Sequence, residues 1–228
     1  MSFIEEFNFD YIEPYSAIVM CGKRRSGKGV LTRDLCNQYY KNKVDNAYLF
    51  SPTADIANNP FNFINPDKRI KFLDITLINE IIDTQEMLIK DDPKGRHHTL
   101  ILVDDIVGSL NEIQKRTLGK LFILGRHLRI SLIYCVQSIK NEFTPVMRAN
   151  CDLIFIFNQN NYFNKESLVL EYLNVNDNKK DMIKFLDKYA TGHQSLVILN
   201  TEKSNEIDDY VFYYTANYPI KDFKLSKY

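Results

Sequence analysis

Short apolar runs alternate with longer segments of helical periodicity along this chain. The runs are rich in β-branched and aromatic residues and are bounded by polar turns, as buried strands are. In order they are Ala17–Cys21, Ala47–Phe50, Ile70–Leu73, Thr99–Asp104, Ser131–Val136, Leu153–Phe157, Ser195–Leu199 and Tyr210–Tyr214. Apolar residues at helical spacing predict helices over Gly27–Asn42, Thr76–Ile89, Asn111–Leu124, Lys165–Leu173 and Lys179–Tyr189. The alternation predicts an α/β fold with a mostly parallel sheet flanked by helices, whose two late strands form an antiparallel edge.

The pattern predicts one domain. The chain has 228 residues, enough for one substantial α/β core, and it contains neither a low-complexity linker nor an internal repeat. We divide residues 1–228 into an N-terminal extension (1–16), a core that carries the motifs (17–157), and C-terminal helices and edge strands (158–228). The N-terminus lacks the pattern of a signal peptide, and the apolar runs are too short to span a membrane, so a cytosolic protein without a membrane partner is expected.

Composition narrows the function classes only slightly. Hydrophobic residues make up 45% and charged residues 25%, which is typical of a globular protein. Lys plus Arg and Asp plus Glu number 29 each, so any affinity for nucleic acid must come from local patches or from several subunits around one strand. The four cysteines lie far apart and are interpreted as buried thiols, and the histidines show no zinc-binding spacing.

A glycine-rich segment between the first strand and the first helix matches a phosphate-binding loop, the Walker A motif. Glycines let consecutive backbone N–H groups converge on phosphates, the helix N-terminus adds partial positive charge, and Lys28 supplies a point charge. The alternative is a strand–turn–helix that matches by chance. The predicted ATP-binding residues are Gly22, Lys23, Arg24, Arg25, Ser26, Gly27, Lys28, Gly29 and Val30.

Gly29 departs from that motif. A Ser or Thr normally follows the lysine, and its hydroxyl ligates Mg²⁺. Thr32 is the nearest hydroxyl downstream, and its place one turn further along the helix puts it out of reach. Three explanations stay open: a water replaces the hydroxyl, an acidic residue on another strand holds the metal, or hydrolysis is impaired.

Polar residues follow two of the most apolar strands. Asp104 ends the predicted strand Thr99–Asp104, and Asp105 follows it. Because α/β sheets bind their ligands at the carboxyl ends of the strands, Asp104 is the candidate Mg²⁺ ligand and Asp105 the candidate base that orients the attacking water. Gln137 ends Ser131–Val136 and is a candidate γ-phosphate sensor. The alternatives are a carboxylate that caps a turn and a glutamine on the surface.

Four stretches in this order resemble a known family. They are GKRRSGKG (Gly22–Gly29), LILVDD (Leu100–Asp105), GRHLRISLIYCVQ (Gly125–Gln137) and MRANCDLIFIF (Met147–Phe157). Together they resemble the poxvirus-type genome-packaging ATPases of large DNA viruses and virophages, which belong to the FtsK–HerA superfamily. The resemblance covers about Ala17 to Phe157, and no motif continues it beyond that point.

The resemblance implies a RecA-like P-loop NTPase that uses ATP and Mg²⁺, assembles into a homo-oligomeric ring, and packages double-stranded DNA into a preformed capsid. It implies Lys28 as the Walker lysine, Asp104 and Asp105 as the acidic pair, and Gln137 as the sensor. Arg148 looks like an arginine finger that acts on a neighbouring subunit, and Arg126 is the second choice. Ion-paired or solvent-facing arginines are the alternative. The expected location is host cytoplasm, a viral factory or the virion, with capsid vertex proteins as candidate partners.

A DNA motor must grip the backbone without reading sequence. Candidate contacts are Asn111–Lys120, with Lys115, Arg116 and Lys120, and Ser138–Met147 with Lys140, each of which also fits a solvated surface. Rival functions are a cellular FtsK/HerA-like translocase or helicase, a small-molecule P-loop kinase, and a nucleotide-binding scaffold without catalysis.

Overall fold

One mixed sheet organises the part of the chain that the computed structural model describes, which is residues 3–56, 59–106, 110–140, 143–173, 178–202, 204 and 206–225. Its strands are β1 (Ala17–Cys21), β2 (Asn46–Phe50), β3 (Arg69–Ile70), β4 (Thr99–Asp104), β5 (Ile130–Val136), β6 (Leu153–Ile156), β7 (Gln194–Leu199) and β8 (Val211–Thr215). They lie in the order β3-β2-β4-β5-β1-β6-β7-β8. Neighbours from β3 to β6 pair in parallel, whereas β7 and β8 pair antiparallel, which confirms the predicted α/β sheet and its late edge strands.

The helices of the described residues are α1 (Lys28–Leu35), α2 (Ile75–Asp91), α3 (Glu112–Leu124), α4 (Pro145–Asn150), α5 (Tyr162–Tyr172), α6 (Lys179–Tyr189) and α7 (Ile207–Tyr210). A π-helical segment, Cys36–Tyr40, continues α1. None of the helices in the described ranges is long and apolar enough to cross a membrane.

Side chains alternate along each strand, so each face of the sheet builds its own core. One core packs Val19 of β1 and Val103 of β4 against helices α2 to α6. The opposite core packs Met20 and Leu102 against α1, the N-terminal segment and the loop after β2. Phe7 anchors the N-terminal segment, since it is buried and its N–H donates to the Tyr213 carbonyl of β8 at 2.8 Å.

The observed elements differ from the predicted ones mainly at their ends. The prediction placed no helix between Gln137 and Leu153, but α4 begins there, with Thr144 as its N-cap and Pro145 at its first position. β3 was predicted as Ile70–Leu73 and ends at Ile70, because Asp74 already caps α2. Helix α5 begins earlier than predicted, because the Asn161 side chain accepts the Phe163 N–H.

Candidate nucleotide-binding site

A cavity of about 320 Å³ lies at the carboxyl ends of β1 and β4. Parallel strands direct their carboxyl ends toward this edge of the sheet, where α/β proteins bind ligands. The cavity is lined by Arg24, Arg25, Ser26, Gly27, Lys28, Gly29, Val30, Pro60, Phe61, Asp104, Asp105 and His193. Most of the predicted ATP-binding loop and the predicted acidic pair therefore share one cavity.

The loop from Gly22 to Lys28 has the backbone that an anion site requires. Arg25 and Gly27 adopt positive φ angles of 62° and 107°, and Gly27 begins α1 without a side-chain cap. The first N–H groups of a helix have no intrahelical acceptor, so those of α1 are available to phosphate oxygens. Ser26 Oγ is buried and has no hydrogen-bond partner among the described residues, which also suits a ligand with many acceptor oxygens.

Lys28 reaches back over this loop. Its Nζ donates to the Gly22 carbonyl at 2.6 Å and to the Lys23 carbonyl at 3.1 Å, and its side chain is buried. The ammonium group is thus held above the loop by neutral carbonyls, which the charged oxygens of a phosphate can outcompete.

The acidic pair and Gln137 meet beside Lys28. Asp104 ends β4 on the same face as Leu102, toward α1, and burial, with a smaller contribution from Asp105, raises the pKa of its carboxyl to about 6. Lys28 opposes that shift. Asp105 turns back with φ 46°, and its Oδ1 accepts a hydrogen bond of 2.5 Å from Gln137 Nε2. A half-buried carboxylate beside a second carboxylate is suited to a divalent cation, whereas the nearby ammonium group of Lys28 is suited to phosphate.

Gly29 lies under the loop that follows β2. A Cβ at this position would be 3.1 Å from Pro60 Cγ and 3.3 Å from Pro60 Cβ, so a larger residue would press on that proline. Thr32 Oγ1 faces the core: it donates to the Lys28 carbonyl at 2.9 Å and lies 3.0 Å from Met20 Sδ. The hydroxyl of Thr32 is therefore directed away from the cavity.

The two candidate arginine fingers lie at the opposite edge of the sheet. Arg126 precedes β5, and its Nη2 pairs at 2.7 Å with Asp152, which also accepts the Ala17 N–H at the start of β1. Arg148 precedes β6; its Nε lies 3.1 Å from Glu171 Oε1, and its Nη1 donates to the Phe143 carbonyl at 2.6 Å. Neither arginine lines the cavity.

Two further predicted loop residues have other surroundings. Gly22 is not in the cavity lining, but its carbonyl holds Lys28, and the Lys23 ammonium group donates to Asn160 Oδ1 at 2.9 Å. Lys23 therefore connects the loop to the segment that precedes α5.

Sequence reasoning missed three neighbours of the loop. His193 lies between α6 and β7, and its Nδ1 would be 3.4 Å from a Cβ at Gly27. Phe157 packs beneath Gly22 and Gly27, and Pro60 covers Gly29. Nothing in the sequence signals His193, because the contact joins loops that are far apart in the chain. Phe157 was noted only as the end of an apolar strand.

Comparisons with known proteins find relatives of similar sequence and solved structures of similar fold. The uncharacterized protein L437 of Acanthamoeba polyphaga mimivirus is 28% identical over 225 residues, which cover 92% of this chain and 76% of the relative. The genome packaging NTPase B204 from Sulfolobus turreted icosahedral virus 2, in complex with sulfate, superimposes with a TM-score of 0.59 at 12% identity, covering 90% of this chain and 98% of B204. The pCW3 conjugation coupling protein TcpA with ATPγS superimposes with a TM-score of 0.61 at 16% identity, covering 94% and 70%. The model of the Poxvirus A32 protein family matches residues 5–220, and the chain belongs to this family.

Proposed function

We propose that this chain is an ATPase that moves double-stranded DNA, most specifically one that packages a viral genome into a capsid. Membership of the Poxvirus A32 family supports a packaging ATPase, as does the likeness to B204, whose structures include complexes with ATP analogues. The observation that carries the proposal is the convergence of the phosphate loop, Lys28 and the half-buried Asp104 on one cavity.

The residues in and beside the cavity have separate proposed roles in ATP binding and hydrolysis. The α1 N-terminus and Lys28 bind the phosphates, and Lys28 exchanges its bonds to loop carbonyls for phosphate oxygens. Asp104 would hold Mg²⁺, which when bound neutralises charge on the β- and γ-phosphates. Asp105 would act as the base that orients the attacking water, and Gln137, whose amide hydrogen-bonds Asp105, as the γ-phosphate sensor.

An arginine must come from a neighbouring subunit if it is to act on the transferred phosphoryl group. Both candidates lie at the edge of the sheet away from their own cavity, so they complete a site only between two copies. Side-chain exposure supports the opposite order from the sequence-based ranking: the Arg126 side chain is 54% exposed, whereas the Arg148 side chain is 20% exposed and packed against α5. We therefore propose Arg126 as the first candidate and Arg148 as a residue that joins α4 to α5.

DNA contact is proposed for the segment after Gln137. Ser138 Oγ hydrogen-bonds Asn164 at 3.2 Å, and Lys140 Nζ lies 5.8 Å from the centre of the Phe163 ring. Lys140 is exposed and lies three residues after Gln137, the proposed sensor. Lys115 of the competing segment on α3 pairs instead with Glu112 at 3.0 Å. Residues 141 and 142 of the favoured segment lie outside the described ranges.

The test measures ATP hydrolysis with and without double-stranded DNA for the wild type and for Lys28→Ala, Arg126→Ala and Arg148→Ala. DNA should stimulate the wild type, and Lys28→Ala should be inactive while the exposed control Lys90→Ala is unaffected. A mixture of Lys28→Ala with Arg126→Ala should regain activity, because one subunit's arginine meets another's intact loop. Phosphoryl transfer to a nucleoside without any DNA stimulation would refute the motor and favour a kinase.

A further inference from the structure

The loop that follows β2 contributes to one unusual feature of the site and covers another. Gly29 stands where a hydroxyl residue is usual, and Ser51, a fully buried serine, lies beside Asp104. The loop that follows β2 begins at Ser51 and passes over Gly29 at Pro60.

Sheet pairing places Ser51 at the acidic pair. Phe50 of β2 pairs with Val103 of β4, so the next residues of the two segments, Ser51 and Asp104, lie side by side. Ser51 Oγ donates to Asp104 Oδ2 at 3.4 Å and lies 3.0 Å from Thr53 Oγ1. Its backbone is held as well, because Ser51 N–H donates to the Ile70 carbonyl at 2.9 Å.

Hydrogen bonds within the loop connect the residues near Pro60 to those near Ser51. The Asn59 side chain donates to the Thr53 carbonyl at 2.7 Å and to the Ala54 carbonyl at 2.9 Å. This fixes the neighbouring Pro60, which fills the space that a side chain at position 29 would need. A serine at 29 would therefore compete with the loop that carries Ser51.

We propose that Ser51 is a positioning residue that takes the place of the hydroxyl missing at Gly29. In the usual motif that hydroxyl ligates Mg²⁺, and an aspartate of the acidic strand also helps to hold the metal. Here the Ser51 hydroxyl, oriented by Thr53, fixes the Asp104 carboxylate from the β2 side. The absence of a side chain at Gly29 complements this arrangement, because it leaves room for Pro60 on the loop that begins at Ser51. The inference rests on the proposed nucleotide and metal site.

The test uses Mn²⁺ as the probe, with binding to the protein–ADP complex measured by electron paramagnetic resonance. Ser51→Ala should weaken Mn²⁺ binding by roughly tenfold or more, as the loss of residues that orient metal ligands does. ADP affinity in the presence of a chelator should stay unchanged, since no phosphate contact is lost. Ser195→Ala, which removes a buried hydroxyl bonded to the Tyr214 carbonyl of β8, is the matched control and should alter neither.

Two further variants separate positioning from folding. Ser51→Cys keeps the shape of the side chain but donates weakly, so it should also lose Mn²⁺ affinity while its melting temperature stays near that of the wild type. Adding Gly29→Ser together with Pro60→Ala to Ser51→Ala should restore Mn²⁺ affinity. Equal Mn²⁺ affinities for Ser51→Ala, Ser51→Cys and the wild type would overturn the proposal. A lack of DNA-stimulated hydrolysis in the wild type would instead count against the proposed function, and Mn²⁺ binding would still be measurable.

Discussion

Close packing at Gly22 makes the phosphate loop intolerant of the smallest added side chain. A Cβ at position 22 would lie 2.6 Å from Phe157 Cβ and 2.6 Å from Ser26 Oγ, well inside the separation of about 3.5–4.0 Å that carbon atoms favour. The backbones on both sides are pinned, since Gly22 N–H donates to the Val136 carbonyl at 3.1 Å and Phe157 N–H to the Cys21 carbonyl at 2.8 Å. Gly22→Ala must therefore displace the loop itself.

The cost of Gly22→Ala follows from that geometry. Overpacking a well-packed site costs about 1–3 kcal/mol. For a chain of this size each kcal/mol shifts the melting temperature by roughly 2–4 °C, so a fall on the order of 2–12 °C is expected. Gly119→Ala is the matched control, because α3 leaves nothing within 4 Å of an added Cβ. It should stabilise the fold by about 0.5–1 kcal/mol, since alanine is the better helix former.

The assay combines thermal unfolding with titration of a fluorescent ATP analogue at a temperature where every variant is folded. Gly22→Ala should melt lower and bind the analogue more weakly, because the displaced loop no longer aims its N–H groups at the phosphates. Gly119→Ala should melt higher and bind like the wild type. If Gly22→Ala matches the wild type in both measurements, the packing argument for the loop is wrong.

Three more predictions concern charge. Burial raises the pKa of Asp104 to about 6, so the affinity of Mn²⁺ for the ADP complex should fall as the pH drops through that value, and Asp104→Asn should bind Mn²⁺ weakly and without this pH dependence. Burial lowers the pKa of His98 from 6.5 to about 4, so the neutral ring contributes stability that is complete above pH 6.5 and is lost as the pH falls toward 4. The linkage amounts to at most about 3 kcal/mol, and urea unfolding of His98→Gln should show a flatter acid limb than the wild type; parallel limbs would contradict the assignment. Arg126→Ala should lower the free energy of unfolding by less than about 1 kcal/mol, because the Arg126 side chain of the ion pair with Asp152 is 54% exposed to solvent. Hydrolysis should nevertheless fall by on the order of 10³ if the arginine acts in trans. A similar rate for Arg126→Ala and the wild type would remove it from the catalytic set.

The parts of the fold that follow from the sequence are those in which local pattern and tertiary burial agree. Thr99–Asp104 and Lys179–Tyr189 were predicted with the bounds that they have, because one is a continuous apolar run buried on both faces and the other has a strongly amphipathic period. Helix α4 was missed although Thr144 and Pro145 carry the usual start signal, since the following six-residue helix is too short to show a period.

Some residues of the candidate site could likewise be predicted from the sequence, and others could not. Lys28 and Asp104 could be predicted because each is adjacent in sequence to the strand that positions it, and parallel strands bring those ends together. His193, Pro60 and Ser51 could not, because they lie on loops with no sequence motif of their own and are distant in sequence from the site residues that they contact. The ion pair of Arg126 with Asp152 joins the stretches Gly125–Gln137 and Met147–Phe157, because it connects the turn before β5 to the starts of β1 and β6.

The sheet itself sets a geometric condition on any assembly that uses these arginines. β1 is five residues long, so at about 3.3 Å per residue the edge that holds Arg126 lies roughly 16 Å from the edge that holds Lys28. A change of side-chain rotamer cannot cross that distance, so within one chain Arg126 serves only its ion pair. An arginine supplied in trans requires the amino edge of one copy to reach the carboxyl edge of another, either in a head-to-tail contact or across a two-fold axis that exchanges the two edges. Head-to-tail contacts close into rings when the rotation between copies allows it, whereas a monomer as the active form in solution would be incompatible with Arg126 as a finger.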